Sequence, residues 1–155
     1  MATYNRTVTG GGTVGHPGNV ARPYVVTSPV YDAVDNTSLA GDDIVQLIDL
    51  PADTMVIGGC LEVLEASGNA NVTLDVGTST DVDAFVDGGG SNAAADIQFN
   101  LKAAGGNLVT SADTVMVTVL DSGSSGTTAL RFRVHAVCVD VSRNPTESAT
   151  VSTGT

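Results

Sequence analysis

The sequence predicts an all-β fold: an antiparallel β-sandwich or β-barrel, jelly-roll-like, of about seven or eight strands, with an extended N-terminal arm. Three observations carry this expectation. The apolar segments are short and rich in β-branched residues; Gly- and Ser-containing turns separate them; and no helical pattern alternates with them. At 155 residues the chain has the size of one ordinary domain with one core. Aromatics make up 4% and Trp is absent, so the core is expected to be Val, Leu, Ile and Ala, with 18 Gly supplying turns.

Residues 1–23 read as the arm. Gly10-Gly11-Gly12, Gly15, Pro17, Gly18 and Pro23 punctuate it, and it holds too few apolar groups to fold alone. The β domain is expected over residues 24–142. Tyr24 to Thr27 is a short strand that Pro29 confines to an edge. Asp43 to Leu50 is the next, ended by Pro51, and Thr54 to Glu65 follows, with Gly58-Gly59 marking a bulge or a close backbone approach. Asn71 to Val76 alternates apolar with polar, as a half-buried strand does. Asp83 to Val86 reads as a short strand before Gly88-Gly89-Gly90, and Ala93 to Leu101 as a helical turn stopped by Gly105-Gly106.

Two clear strands close the domain. Asp113 to Leu120 places Val115, Val117 and Val119 on one face. After the Asp121 to Gly126 loop, Thr128 to Val141 turns Leu130, Phe132, Val134, Ala136 and Cys138 inward. Its other face carries Arg131, Arg133 and His135, then Val137, Val139 and Val141, so that end is expected to be covered on both faces, by a second sheet or another subunit. Residues 143–155 read as a polar tail. No internal repeat is visible.

Composition narrows the function. The net charge is −11, from 17 acids against 6 Lys plus Arg, and such a surface repels phosphate backbones, so no nucleic-acid partner is expected. The charge is uneven: Met1 to Tyr31 contains no acid but does contain Arg6 and Arg22. That segment is suited to lie on its own acidic body or to dock on an acidic neighbour. No run approaches the roughly 18 apolar residues of a membrane helix, and no signal peptide is visible, which predicts synthesis in a cytosol and no membrane partner. Cys60 and Cys138 each sit in an apolar run and read as free, buried thiols, though spacing alone leaves open whether they meet.

Catalytic and metal constellations are not evident. Gly10 to Gly15 matches G-x-G-x-x-G by letter, but it neither follows a predicted strand nor opens a helix, so it is not read as a dinucleotide site. His16 lies in the glycine arm. His135 follows Arg131 and Arg133 on one strand face, where neighbouring cations oppose its protonation, and no nucleophile is tied to it. The stripe is expected to pair with the chain's own carboxylates, with an acidic partner as the functional alternative. Arg6, His16, Arg22, Arg131, Arg133 and His135 are thus the candidate partner-binding residues. Asp75, Asp81, Asp83 and Asp87 form the densest acidic cluster, but Asp81 to Gly88 lacks the third ligand, early Gly and terminal Glu of an EF-hand. They read as solvated loop acids, with no metal and no cofactor. The scarcity of aromatic rings also weakens a sugar-binding reading.

The stretch Asp42-Asp43-Ile44-Val45-Gln46-Leu47-Ile48-Asp49-Leu50-Pro51-Ala52-Asp53-Thr54-Met55-Val56-Ile57 is similar to a recurrent opening in virion proteins of tailed bacteriophages, many infecting marine bacteria and cyanobacteria. The similarity continues through Leu61-Glu62-Val63, Val72 to Gly77 and Asp81 to Gly88, and ends with Arg131-Phe132-Arg133-Val134-His135-Ala136-Val137-Cys138-Val139-Asp140-Val141. It covers about residues 42–142 in pieces, and its motifs are strand and turn patterns without a catalytic signature. The resemblance implies a capsid decoration (cement) protein or related head component. Such a protein would be a non-enzymatic β-sandwich, often a homotrimer, on the capsid outer surface, clamping neighbouring major capsid protein subunits. Residues 1–23 and the Arg131/Arg133/His135 face would contribute contacts, and removing residues 1–20 is expected to leave the fold intact. The alternatives are a tail or fibre adhesin that binds a host glycan, an enzyme of unrecognised type, and a shell-forming capsid protein. The last is disfavoured by the absence of a long helix and extended loop.

Overall fold

The structure, a computed structural model, describes residues 3–9 (by backbone), 23–36, 38–101, 107–123, 127 and 129–141. Within them are eleven strands: β1 (Thr3–Thr9), β2 (Pro23–Thr27), β3 (Tyr31–Asp32), β4 (Ile44–Leu50), β5 (Thr54–Glu65), β6 (Val72–Gly77), β7 (Val86–Gly90), β8 (Ala95–Gln98), β9 (Leu108–Val109), β10 (Asp113–Asp121) and β11 (Arg131–Asp140). They form a sandwich. One sheet runs β1-β4-β10-β6-β7; the other runs β2-β11-β5-β8, with β3 also beside β11 and β9 beside β5. β1 pairs parallel to β4, whereas every other strand pairing among the described residues is antiparallel.

The inner faces follow the predicted alternation. Val115, Val117 and Val119 of β10 are fully buried, as are Leu130 and, on β11, Phe132, Val134, Ala136 and Cys138. Burying each of the Val, Leu and Phe side chains among them stabilises the fold by about 1.5–3 kcal/mol. The aliphatic core is supplemented by rings that composition did not suggest. Tyr31 stacks on Phe132 with centroids 5.4 Å apart, and Phe85 stacks on Phe99 at 5.1 Å. On β4, Leu47 and Ile48 are buried in succession because the register against β10 slips there, opposite Val115 and Met116.

The long β5 bends at its centre. The register with β11 slips between Val137 and Cys138, leaving Ile57 as the extra residue, and Gly59 follows at φ 152°. A Cβ on Gly59 would lie 2.3 Å from the His135 carbonyl oxygen and 2.5 Å from Phe99. The glycine pair therefore marks both a bulge and a close backbone approach.

Several expectations are corrected. The strand before the glycine run begins later: Phe85 precedes β7, and Gly88, Gly89 and Gly90 lie inside it. Ala93 to Leu101 is no helical turn. Its centre is β8, paired with Cys60 to Val63 of β5, while Ile97, Phe99 and Leu101 pack against the core. β6 is more than half-buried, and its Asp75 is 6% exposed, accepting the Gly88 N–H at 2.7 Å. Asp75 is thus a sheet residue, not a solvated loop acid. The arm contributes β1 to the first sheet, so removing residues 1–20 would take away a strand. Residues 10–22, with the glycine motif, and residues 142–155 lie outside the described residues.

Candidate interaction surface

The outer face of the six-stranded sheet collects the conspicuous surface side chains. Cross-strand register sorts them into rows. Asp96 of β8, Glu62 of β5 and Arg133 of β11 form one row; Gln98, Cys60, His135 and Thr27 form the next. Asp32 of β3, Arg131 and Glu65 make a third. Toward the other end the rows turn apolar: Gly58, Val137 and Val25, then Leu108, Met55, Val139 and Pro23.

Each base in the charged half has a carboxylate of its own chain. Arg131 Nε lies 2.9 Å from Asp32 Oδ2 and its guanidinium 3.8 Å from Glu65. Arg133 Nε donates to Glu62 Oε2. His135 Nε2 sits 3.0 Å from the same oxygen, and its Nδ1 is 2.9 Å from Thr27 Oγ1. The Thr hydroxyl can donate to a neutral ring or accept from a protonated one, so both states are accommodated. Arg133, then His135, hold the Glu62 carboxyl down at about 2, against an ordinary 4.5. The self-paired reading of the stripe thus matches the geometry, and His135 is engaged on both ring nitrogens.

The apolar half is different. Val25 is 65% exposed, Ile57 41% and Leu108 40%, with Met55, Val137 and Val139 half-buried beside them. Val137, Val139 and Val141 are half-buried, and among the described residues no second sheet of this chain covers their outer face. A continuous apolar end on a sheet face is the kind of surface that marks protein contact. The sequence reading missed Val25 and Leu108 because they come from strands remote in sequence from β11. It also missed Glu62, whose place between Leu61 and Val63 in an alternating run marks an outward residue.

The thiols lie on opposite faces of this sheet. Cys60 pairs with outward His135, whereas Cys138 pairs with Val56 inside the core, so they cannot meet. Both are free. Burial pushes Cys138 up to about 11; Cys60 is half-buried, and burial with nearby Asp96 and Glu62 also raises it. Of the other candidates, Arg6 lies in β1, described by backbone only, while His16 and Arg22 fall outside the described residues. Among the described residues no group of three or more His, Cys, Asp or Glu side chains is placed to hold a metal ion.

No protein-family model matches the chain, and no curated protein is similar in sequence. Solved structures do share its fold. A chain from the capsid of Ralstonia phage GP4 matches with a TM-score of 0.59 at 16% identity, over 86% of this chain and 97% of that one. A chain from the capsid asymmetric unit of cyanophage Pam1 matches with a TM-score of 0.57 at 16% identity, over 83% and 93%. At this identity the likeness is one of fold: a two-sheet β-sandwich that accounts for nearly the whole of each matched chain.

Proposed function

We propose that this chain is a non-enzymatic virion structural protein that binds the outside of a phage capsid and cements neighbouring major capsid protein subunits. The observation that carries the reading is the fold likeness to two capsid chains, which extends over 97% and 93% of their lengths. In both capsids the match spans nearly the whole of the matched chain, which supports a role as a virion subunit.

The surface supports the same reading. His135 is held by Thr27 and Glu62, and the arginines by carboxylates, which fixes the stripe as a polar rim beside the apolar rows. The apolar rows around Val25, Val137 and Leu108 supply the contact surface on the major capsid protein. The acid-free arm with Arg6, His16 and Arg22 adds a second contact, and the stripe at its rim adds polar ones. A homotrimer would multiply modest contacts through avidity. A protein that binds only the assembled shell stabilises that state by mass action.

Co-sedimentation of the purified chain with empty cognate shells, and with unassembled capsid subunits, tests the reading. Pelleting with shells but not with free subunits is expected. Failure to pellet with shells, together with specific binding on a glycan array, would replace it with the adhesin alternative.

A further inference from the structure

We propose that the β4 edge is a strand-acceptor site for a second copy of this chain, with β1 passing from one copy to the next. The fold alone carries the exchange; its setting, copies held side by side on a shell, rests on the function proposed above.

The geometry of β1 is the first support. Among the described residues it pairs with β4 alone, in parallel, with Thr3 opposite Ile44 and Thr9 opposite Asp49. The ladder slips between Asn5 and Val8, which divides it into two short pieces. Parallel pairing is slightly weaker per residue than antiparallel, and an edge strand held on one side is the easiest to detach. Its departure would leave the β4 donors and acceptors that point away from β10 unpaired, a ready template for an identical strand.

Chain length is the second support. Thr9 lies beside Asp49, near the end of β4, and Pro23 lies beside Val139, which itself pairs with Met55 near the start of β5. Only Pro51 to Asp53 separate β4 from β5, so these points belong to the same end of the sandwich. The contact between β7 and β8 sets the opposite edges together, which puts β1 and β2 along the same side. With strands about 4.8 Å apart and sheets about 10 Å apart, Thr9 and Pro23 are roughly 15 Å from one another. Residues 10–22 can span about 43 Å when extended, nearly three times that need. Five of them are Gly and one is Pro, a composition with little preference for compact structure. The length of the connection therefore does not confine β1 to its own sheet.

Charge is the third. Two copies each bearing −11 repel as bodies, yet the segment before Asp32 contains no acid and carries Arg6 and Arg22. An exchanged arm sets a basic segment against an acidic neighbour. Exchange preserves the β1–β4 pairing of the closed chain, so local concentration decides which form prevails.

The test uses two full-length chains in a Cys60→Ser background. One carries Asn5→Cys with an affinity tag, the other Gln46→Cys without it; a third chain carries both substitutions. Residues 5 and 46 are register partners, close enough for a disulfide once β1 is seated. Without any shell present, oxidation of the mixed single variants is expected to give a tagged–untagged dimer joined through residues 5 and 46. Its yield should rise steeply on raising protein concentration about tenfold. Closure of the double variant within one chain at every concentration, with no dimer in the mixture, overturns the proposal. So does the absence of a disulfide in all three, since β4 would then not receive β1. Because no shell is involved, failure here and failure of capsid binding are separate results.

Discussion

At the scale of single residues, the constraints are steric and electrostatic. Gly59 is the least replaceable position on β5, because a methyl group would strike the His135 carbonyl and the Phe99 ring in a backbone conformation that side chains rarely adopt. Gly59→Ala is expected to cost about 3 kcal/mol, read as a lower urea midpoint with unchanged slope. Gly68 also has positive φ but has nothing within 4 Å of an added Cβ, so Gly68→Ala is expected to cost only about 1 kcal/mol. In the core, Phe132→Ala removes one ring of the Tyr31 stack and is expected to cost about 3–5 kcal/mol. Glu62 sets a pH dependence. Its carboxyl is depressed in the folded chain, so the stability it contributes is present above about 4.5 and is lost as pH falls toward 2. Glu62→Gln should flatten the acid limb of stability between those values; an acid limb as steep as the parent's would show that the Arg133–His135 clamp contributes nothing. Thiol chemistry follows burial. Cys60 is expected to react with a disulfide reagent in the native state, and Cys138 only on unfolding.

At the scale of elements, what the sequence disclosed depended on whether pattern or partner decides the strand. β5 can be read from Thr54 to Glu65, and β10 and β11 nearly to their ends, because their alternation or apolar length is unambiguous without knowledge of neighbours. β8 could not. Its alanine-rich approach favours a helical turn locally, and only pairing with Cys60 to Val63 makes it a strand. β7 is mostly glycine, so it carries no side-chain pattern, and its place comes from pairing with β6. β1 hides in a segment whose glycines signal a loop. The candidate surface was legible in half: β11 declares its charged stripe, but the carboxylates that answer it and the apolar rows beside it come from four other strands. Hydrogen exchange should reflect this architecture. β10 lies between β4 and β6, and β11 between β2 and β5, so their amides are expected to exchange slowest. Amides of β7 and β8 at the sheet edges should exchange faster, and equal protection throughout would contradict the strand order.

At the scale of the molecule, a sandwich of modest size combines an acidic body, an apolar end on one sheet face and an acid-free leading segment. Together they are the features on which the proposed contacts with neighbouring subunits rest. Deleting residues 1–9 removes β1 and exposes the β4 edge, so the shortened chain should pellet with shells less than the full chain. The most direct measurement is an image reconstruction of the assembled particle. The account predicts density for this sandwich on the exterior of the shell, touching at least two major capsid protein subunits, with the Val25 and Leu108 end of its six-stranded sheet in contact. Density confined to the tail, or a shell exterior with no such sandwich, would contradict it.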